Sequence, residues 1–242
     1  MPILVLCGAL AFAGTAAAHT SVKSPATEGV RDDNAFRIGH GCEGDRPVVA
    51  QSIVFPTDAP ELEASDPSVV VGDLSEVILQ GGLAGLAQSI QDRSIFGFQD
   101  EIVDANGNVV GFQAGKGSLN PKLVGRVPFQ FSAPRFVADS CARRLLVEIA
   151  VADICSAKQP ILDPHKVNLW IPDNGSLFAA EGRAAGVEGI GDPATLIVQR
   201  NLVTNPLAES CGAGFDVIVT PSAAQVDRDL PIQYYWYLKT GR

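Results

Sequence analysis

Short apolar stretches separated by Gly, Pro, Asn and Asp constrain the fold of this chain more than any other feature of its sequence. Several stretches alternate apolar and polar residues, which is the period of a strand with one buried face. Asn106-Gly107 lies between two stretches and accepts the positive φ angles of a two-residue hairpin turn. Many short strands with this punctuation predict an all-β chain folded as a β-sandwich. The predicted strands cover residues 35–39, 47–55, 68–71, 94–103, 109–113, 125–131, 145–154, 167–171, 195–199, 215–220 and 232–238.

Residues 73–92 depart from this pattern, because their apolar residues recur at the spacing of an α-helix. Asp73 and Ser75 are both suitable N-caps for such a helix. We therefore predict a helical insertion near 73–92 that lies over the sandwich. Residues 173–193 are rich in Gly and Ala and predict a long surface loop. The predicted organisation is a single domain over 19–242, with this insertion and a C-terminal extension.

The N-terminal segment has the pattern of a secretory signal peptide. Residues 3–14 are apolar and residues 16–18 are alanines, which a signal peptidase accepts. One departure is that residues 1–6 contain no Lys or Arg. The stretch is too short to span a bilayer about 30 Å thick. We predict that residues 1–18 are removed, that His19 begins the mature chain, and that the protein is periplasmic or secreted.

Charge and hydropathy exclude two kinds of partner. The formal net charge is -9 and no basic cluster is visible, so the chain repels phosphate and we expect no nucleic-acid partner. No second apolar run reaches the length of a membrane span. We therefore expect no membrane span in the mature chain.

The cysteine count predicts disulfides. The chain has five cysteines, and Cys7 lies in the segment that cleavage would remove. Four cysteines in an exported protein predict two disulfides, with three possible pairings. No CxxC motif points to a zinc site or to thioredoxin-like chemistry. The four are Cys42, Cys141, Cys155 and Cys211.

An N-terminal His19 would offer a metal two nitrogens, its α-amine and its imidazole Nδ1. Nitrogen ligands of this kind suit Cu(II), which stands at the top of the divalent affinity series. Met1 is the only methionine, and the cysteines are expected to be paired. These two facts argue against a blue-copper centre and a Met-rich Cu(I) carrier. The sequence therefore predicts a nitrogen and oxygen site for Cu(II).

Several residues are candidates for the third copper ligand, and each has an ordinary alternative role. His40 lies in a turn beside a cysteine, where it could simply hydrogen-bond the loop. His165 fits a solvated loop, and Trp170 fits packing in a core or at an edge strand. The candidates are His40, His165, Asp32, Asp33 and Glu43.

Several segments resemble the YcnI-like family, also called the domain-of-unknown-function 1775 family. The first is HTSVKSP at His19, followed by IGHGC, which contains His40 and Cys42. The stretch VPFQFSAPRFVADSCARRLLVEIAVADIC resembles later strands of the family, and LWIP resembles its tryptophan strand at Trp170. The match covers about the first two thirds of the chain.

This resemblance implies a cupredoxin-like or immunoglobulin-like β-sandwich that binds Cu(II) through a single-histidine brace. It implies that His19 chelates the metal, that Trp170 lies close to it, and that an acidic residue completes the site. Asp32 falls nearest to the acidic position of the family, with Asp33 next to it. By the same analogy, Cys42 pairs with Cys155, which leaves Cys141 with Cys211.

The first functional hypothesis is a periplasmic Cu(II)-binding protein for copper storage or delivery, not itself an enzyme. Its partners would be the copper ion and copper transport proteins of the envelope. One alternative is a copper-dependent oxidative enzyme, which would need a second histidine such as His40 or His165. The other is a metal-free structural or adhesive sandwich in which His19 is incidental.

Overall fold

A computed structural model of the chain describes residues 19–22, 25–158 and 161–231. Within these ranges the chain forms strands β1 to β13 and helices α1 and α2. The strands are β1 (Ser21–Val22), β2 (Ala26–Thr27), β3 (Arg31–Ile38), β4 (Ala50–Val54), β5 (Glu61–Ala64), β6 (Ala87–Ser89), β7 (Phe96–Val103), β8 (Val109–Gly117), β9 (Gly125–Ser132), β10 (Ala142–Ile154), β11 (Val167–Trp170), β12 (Ala194–Gln199) and β13 (Phe215–Thr220). The helices are α1 (Leu177–Ala184) and α2 (Ala223–Asp229).

The strands form two sheets. The smaller sheet has the order β1-β3-β9-β6. The larger has the order β2-β12-β10-β4-β8-β7, with β11 paired to β10 and with β13 paired to both β10 and β5. The long strand β10 organises the larger sheet, because its first half pairs with β12 and β13 and its second half pairs with β4 and β11.

The two sheets form the predicted β-sandwich around one large apolar core. Phe36 and Phe129 of the smaller sheet stack with ring centroids 4.8 Å apart. Phe55 and Phe112, at the end of β4 and in β8, meet edge to face at 5.5 Å, and Phe55 reaches Phe129 at 5.9 Å. The alternation of apolar and polar residues along the strands thus buries one face of each sheet against the other.

A second apolar cluster lies on the other face of the larger sheet. It joins Ala150 and Ala152 of β10 to Leu169 of β11, and to Ala179 of α1 and Val226 of α2. Both helices begin at a serine N-cap, where Ser176 Oγ accepts from the Ala179 amide and Ser222 Oγ accepts from the Gln225 amide. The helices therefore cover a sheet face that would otherwise expose apolar side chains.

The predicted helix over residues 73–92 is wrong. The segment holds one short 3-10 turn, Leu74–Glu76, and then the strand β6. Gly81 and Gly85 adopt φ angles of 66° and 74°, which a right-handed helix does not permit. The apolar residues that suggested a helix are buried in the main core from an irregular loop instead: Leu74, Val77, Ile78, Leu83 and Ala87.

Other local predictions need correction. Residues 173–193 are not only a loop, because α1 lies within them. Residues 68–71 form no strand, whereas β5 lies just before them. Between β7 and β8 the connection is five residues long (104–108), because the Asp104 carboxylate accepts from the backbone of Asn106 and Asn108. The predicted strand 232–238 and the signal segment 1–18 lie outside the described residues.

Candidate functional site

The main core ends in a buried aspartate. Leu145, Val147, Ile149 and Val151 of β10 belong to the main core, at alternate positions along the strand. Asp153 continues the same row, and only 1% of it is exposed. A strand places every second side chain on one face, so the sequence itself puts a carboxylate at a core position.

Three side chains donate hydrogen bonds to this carboxylate. Gln51, the direct partner of Asp153 on β4, donates from Nε2 to Oδ1 at 2.8 Å. Trp170 of β11 donates from its indole Nε1 to Oδ2 at 2.7 Å. Thr20 donates its hydroxyl to the same Oδ2 at 2.6 Å. The carboxylate therefore ties together β4, β11 and the chain just before β1.

The surroundings of Asp153 set its protonation behaviour. Burial raises the pKa of the carboxyl, because the charged form loses its hydration. The hydrogen bonds from Thr20, Gln51 and Trp170 and the charge of His40 lower the pKa and partly offset that effect. A buried carboxylate held by neutral donors is costly to maintain, which marks this part of the molecule as a candidate functional site.

Two of the predicted site residues, His19 and His40, lie against the same indole. The ring centroids of His19 and Trp170 are 5.8 Å apart, and those of His40 and Trp170 are also 5.8 Å apart. The register of β1 against β3 explains why, since Ser21 faces Arg37 and the same register continued by two residues sets His19 opposite Gly39. Strand pairing thus brings together two histidines that are 21 positions apart in the chain.

The imidazole of His19 has an unused nitrogen. Its Nδ1 is buried and has no hydrogen-bond partner. The carboxylate oxygen Asp192 Oδ2 lies 3.7 Å away, beyond hydrogen-bond distance. A buried nitrogen without a partner is unfavourable, and it is the same nitrogen that a chelate with the α-amine would use.

His40 is held in a fixed turn. Its Nδ1 contacts the carbonyl of Gly41, and its Nε2 lies 3.8 Å from Glu188 Oε1. The Gly41 carbonyl also accepts from Asn168 Nδ2 at 3.2 Å. Next to it, Cys42 forms a disulfide with Cys155. This turn is therefore fastened to both β10 and β11 beside the two histidines.

The acidic residues nearest to the histidines lie within residues 173–193, which the sequence predicted as a surface loop but not as a source of ligands. Glu188 and Asp192 flank Gly189, whose φ is 100° and whose added Cβ would lie 2.6 Å from the Trp170 ring. The Leu169 amide of β11 donates to the Glu188 carbonyl, and this hydrogen bond fastens the loop to the strand. Only glycine fits so close to the indole, so Gly189 is the sequence signal for a close approach of this loop to another part of the chain.

The acidic residue favoured by the family resemblance lies elsewhere. Asp32 is exposed at the start of β3 and pairs with Phe131. It precedes Arg37 by five residues, about 16 Å along a strand. Asp33 accepts from Gln130 Nε2 at 3.2 Å on the same part of the sheet. The structure therefore does not bring Asp32 or Asp33 to His19, and Asp192 takes the neighbouring position instead.

His165 and Glu43, two further candidate ligands, form a separate pair. His165 Nδ1 lies 3.7 Å from Glu43 Oε2 and 3.1 Å from the Glu43 carbonyl. Both residues are exposed.

The two disulfides are Cys42–Cys155 and Cys141–Cys211, which confirms the pairing that the resemblance implied.

Among the described residues, no group of three or more His, Cys, Asp or Glu side chains is arranged to hold a metal ion. The chelate predicted for His19 takes two nitrogens from one residue, and its imidazole nitrogen is the partnerless Nδ1. In its chemistry, that orphaned nitrogen is a suitable ligand for Cu(II). Within the same described ranges, no helix combines the length and the apolar character needed to cross a bilayer.

Comparisons with known proteins were made against family models, curated proteins and solved structures. No protein-family model matches the chain, and no curated protein matches it. Among solved structures, the chain is similar to an uncharacterized protein from Nocardia farcinica, whose crystal structure is described as revealing an immunoglobulin-like fold. The identity is 10%, the alignment covers 75% of this chain and 97% of that chain, and the TM-score is 0.42.

Proposed function

We propose that this protein is exported, is processed to begin at His19, and binds one Cu(II) ion for storage or delivery in the cell envelope. The observation that carries the proposal is the buried Nδ1 of His19, which has no partner and lies beside Trp170. Removal of residues 1–18 would add a free α-amine to that same residue. Amine and imidazole nitrogens are good ligands for Cu(II).

The surrounding residues suggest how the rest of the copper site is formed. Asp192 is the carboxylate nearest to His19 Nδ1, at 3.7 Å, and we assign to it the acidic role that the resemblance gave to Asp32. His40 lies at the same indole and supplies a further nitrogen from that side. Trp170 itself belongs to the main core, so both histidines lie against a core side chain. The two disulfides accord with an oxidising compartment.

The decisive experiment compares two exported products of the full-length gene. One starts at His19, as established by N-terminal sequencing, and the other carries one extra alanine before His19. We expect the first to bind one Cu(II), with an electron paramagnetic resonance spectrum that shows coupling to amine and imidazole nitrogens. We expect the second to bind about a hundredfold more weakly, since the α-nitrogen of His19 is then part of a peptide bond. Equal affinities for the two products would refute the proposal.

A second comparison tests the acidic ligand. Asp192→Asn removes the negative charge beside His19. Asp32→Asn also removes one negative charge, but at a position about 16 Å or more along the sheet from the strand residues near His19. We expect the first substitution to weaken Cu(II) binding about tenfold and the second to leave it unchanged. A loss of affinity confined to Asp32→Asn would restore the ligand set that the resemblance implied.

One observation favours a second function, that of a copper-dependent oxidative enzyme. His40 lies at the same ring as His19, so a second imidazole is near the metal position that such chemistry needs. Copper-loaded protein, a reductant and a polysaccharide or small phenol would reveal this activity as reductant-dependent oxidation. If the protein that starts at His19 binds no copper, the remaining hypothesis is a metal-free structural or adhesive sandwich.

A further inference from the structure

We propose that Asp153 is the positioning residue for the mature N-terminus, so that a buried carboxylate determines where His19 presents its nitrogens. This inference rests on the proposed copper function, and it names the residue that prepares the site. Thr20 directly follows His19 and is 1% exposed. Its hydroxyl donates to Asp153 Oδ2 at 2.6 Å. The residue next to the proposed chelate is therefore attached to the core.

A single oxygen atom positions both parts of the site. Asp153 Oδ2 accepts from Thr20 and also from the indole Nε1 of Trp170. The other oxygen, Oδ1, accepts from Gln51 Nε2 at 2.8 Å, so the carboxylate cannot rotate without losing a hydrogen bond. Thr20, which follows the proposed N-terminal residue, and the ring that contacts both histidines are thus held by the same group.

The first strand is too short to hold this end of the chain by itself. β1 comprises only Ser21 and Val22, which pair with Arg37 and Phe36. Chain ends fray unless they are tied down, and a short edge strand gives few backbone hydrogen bonds. The buried Thr20–Asp153 hydrogen bond is the side-chain contact that extends the attachment to the residue next to His19.

Thr20 offers a cleaner test than Asp153, because replacing Asp153 would leave three buried donors without an acceptor. Thr20→Val removes the hydroxyl and keeps the shape, and Thr20→Ser keeps the hydroxyl. Thr220→Val is the matched control, since Thr220 Oγ1 donates to Glu148 Oε2 at 2.8 Å on β13, away from the N-terminus. All variants are exported products that start at His19.

Two measurements are made on each variant. The first is the Cu(II) dissociation constant, which we expect to rise about tenfold in Thr20→Val and to change less than about twofold in Thr20→Ser and Thr220→Val. The second is made without copper, as the rate at which an aminopeptidase releases His19. We expect faster release only in Thr20→Val, because its N-terminus is no longer tied down.

The paired measurements separate the two proposals. Unchanged release of His19 from Thr20→Val, whatever its copper affinity, would overturn the positioning role of Asp153. If the starting product binds no copper and Thr20→Val still releases His19 faster, the positioning role stands and the copper function fails. Faster release together with weaker copper binding, both restored by serine, supports both.

Discussion

Two buried aspartates lie at opposite ends of the strand β10, and they are held in opposite ways. Asp153, near the end of β10, accepts from the neutral groups of Thr20, Gln51 and Trp170. Asp216, beside the start of β10, is 6% exposed and accepts from Arg143 Nε at 2.9 Å and Arg144 Nε at 3.0 Å. The first lies in the core, whereas the second has two cations that reach water.

The difference appears in their titration. Hydrogen bonds and charge from Arg144 and Arg143 lower the pKa of Asp216, whereas burial raises the pKa of Asp153. Asp216 has an evident structural purpose, because it fastens β13 to β10 through an ion pair at the protein surface. Asp153 gains no comparable charge partner from its three donors, and the positioning role that we propose for it would account for its place in the core.

The two disulfides allow the largest test of this contrast. Cys42–Cys155 closes 113 residues beside Asp153, and Cys141–Cys211 closes 70 residues near Asp216. By loop entropy, replacing the first pair with serines should cost about 4.8 kcal/mol, and replacing the second pair should cost about 4.4 kcal/mol. We expect urea unfolding to show a larger difference between the two losses than loop entropy alone gives. Cys42 is 3% exposed and Cys155 is 9% exposed, so serine hydroxyls at these positions would be buried. A larger loss for Cys141–Cys211 would contradict this expectation.

Alanine substitutions at the two aspartates test directly whether the two carboxylates contribute differently to stability. Asp153→Ala leaves three buried donors without an acceptor and should lower the free energy of unfolding by about 4 kcal/mol. Asp216→Ala should lower it by about 2 kcal/mol, because the Arg143 and Arg144 side chains are 42% and 40% exposed and can bind water. Urea unfolding at pH 7 measures both values, and losses of equal size would show that the two sites do not differ.

Asparagine at the same positions sharpens the comparison through pH. The pKa of Asp216 is lowered in the fold, so its stabilisation is present above its unfolded value of about 3.9 and is lost as pH falls through the folded value. The stability gap between the starting protein and Asp216→Asn should therefore narrow on acidification below about pH 4.

The gap for Asp153→Asn should change in the opposite sense. The pKa of Asp153 is raised, so its contribution is most favourable below the unfolded value of about 3.9 and declines as pH rises through the folded value. The gap between the starting protein and Asp153→Asn should widen as pH falls. Unfolding free energies of the metal-free proteins at several pH values test both signs, and parallel profiles would contradict the contrast.

The smallest expected effect calibrates the scale of these losses. Arg183 Nη2 and Asp173 Oδ2 are 2.5 Å apart, but both side chains are more than half exposed. Asp173→Asn should therefore change the free energy of unfolding by less than about 0.5 kcal/mol. A loss as large as that of Asp216→Ala would show that exposure does not decide the strength of ion pairs in this protein.

Much of the fold could be predicted from the order of apolar and polar residues. The alternation along β10 buries Leu145 and Val147 in one core and Ala150 and Ala152 in the other, as a period of two requires. The same reasoning failed over residues 73–92, because helical spacing and burial from an irregular loop give similar patterns. Gly81 and Gly85 decide between them through their positive φ angles.

The candidate site was predictable only in part. His19, His40 and Trp170 could be named from the sequence, and the structure groups them around one indole. Asp153 also carried a signal, since it is an acidic residue in line with a buried row, but its bond to Thr20 spans 133 positions. Asp192 could not be placed beside His19 from the sequence, because its position depends on how closely the loop at Gly189 approaches Trp170.

By itself, the sequence determined the period of the strands and the set of chemical groups, including a histidine directly after three alanines. Tertiary structure decided which carboxylate meets that histidine. The reason is that strand register brings together residues far apart in the chain, while it keeps Asp32, on the same strand that leads to His40, several residues away from the site. The family resemblance pointed to Asp32, whereas the fold places Asp192 beside His19 and Asp153 beside Thr20.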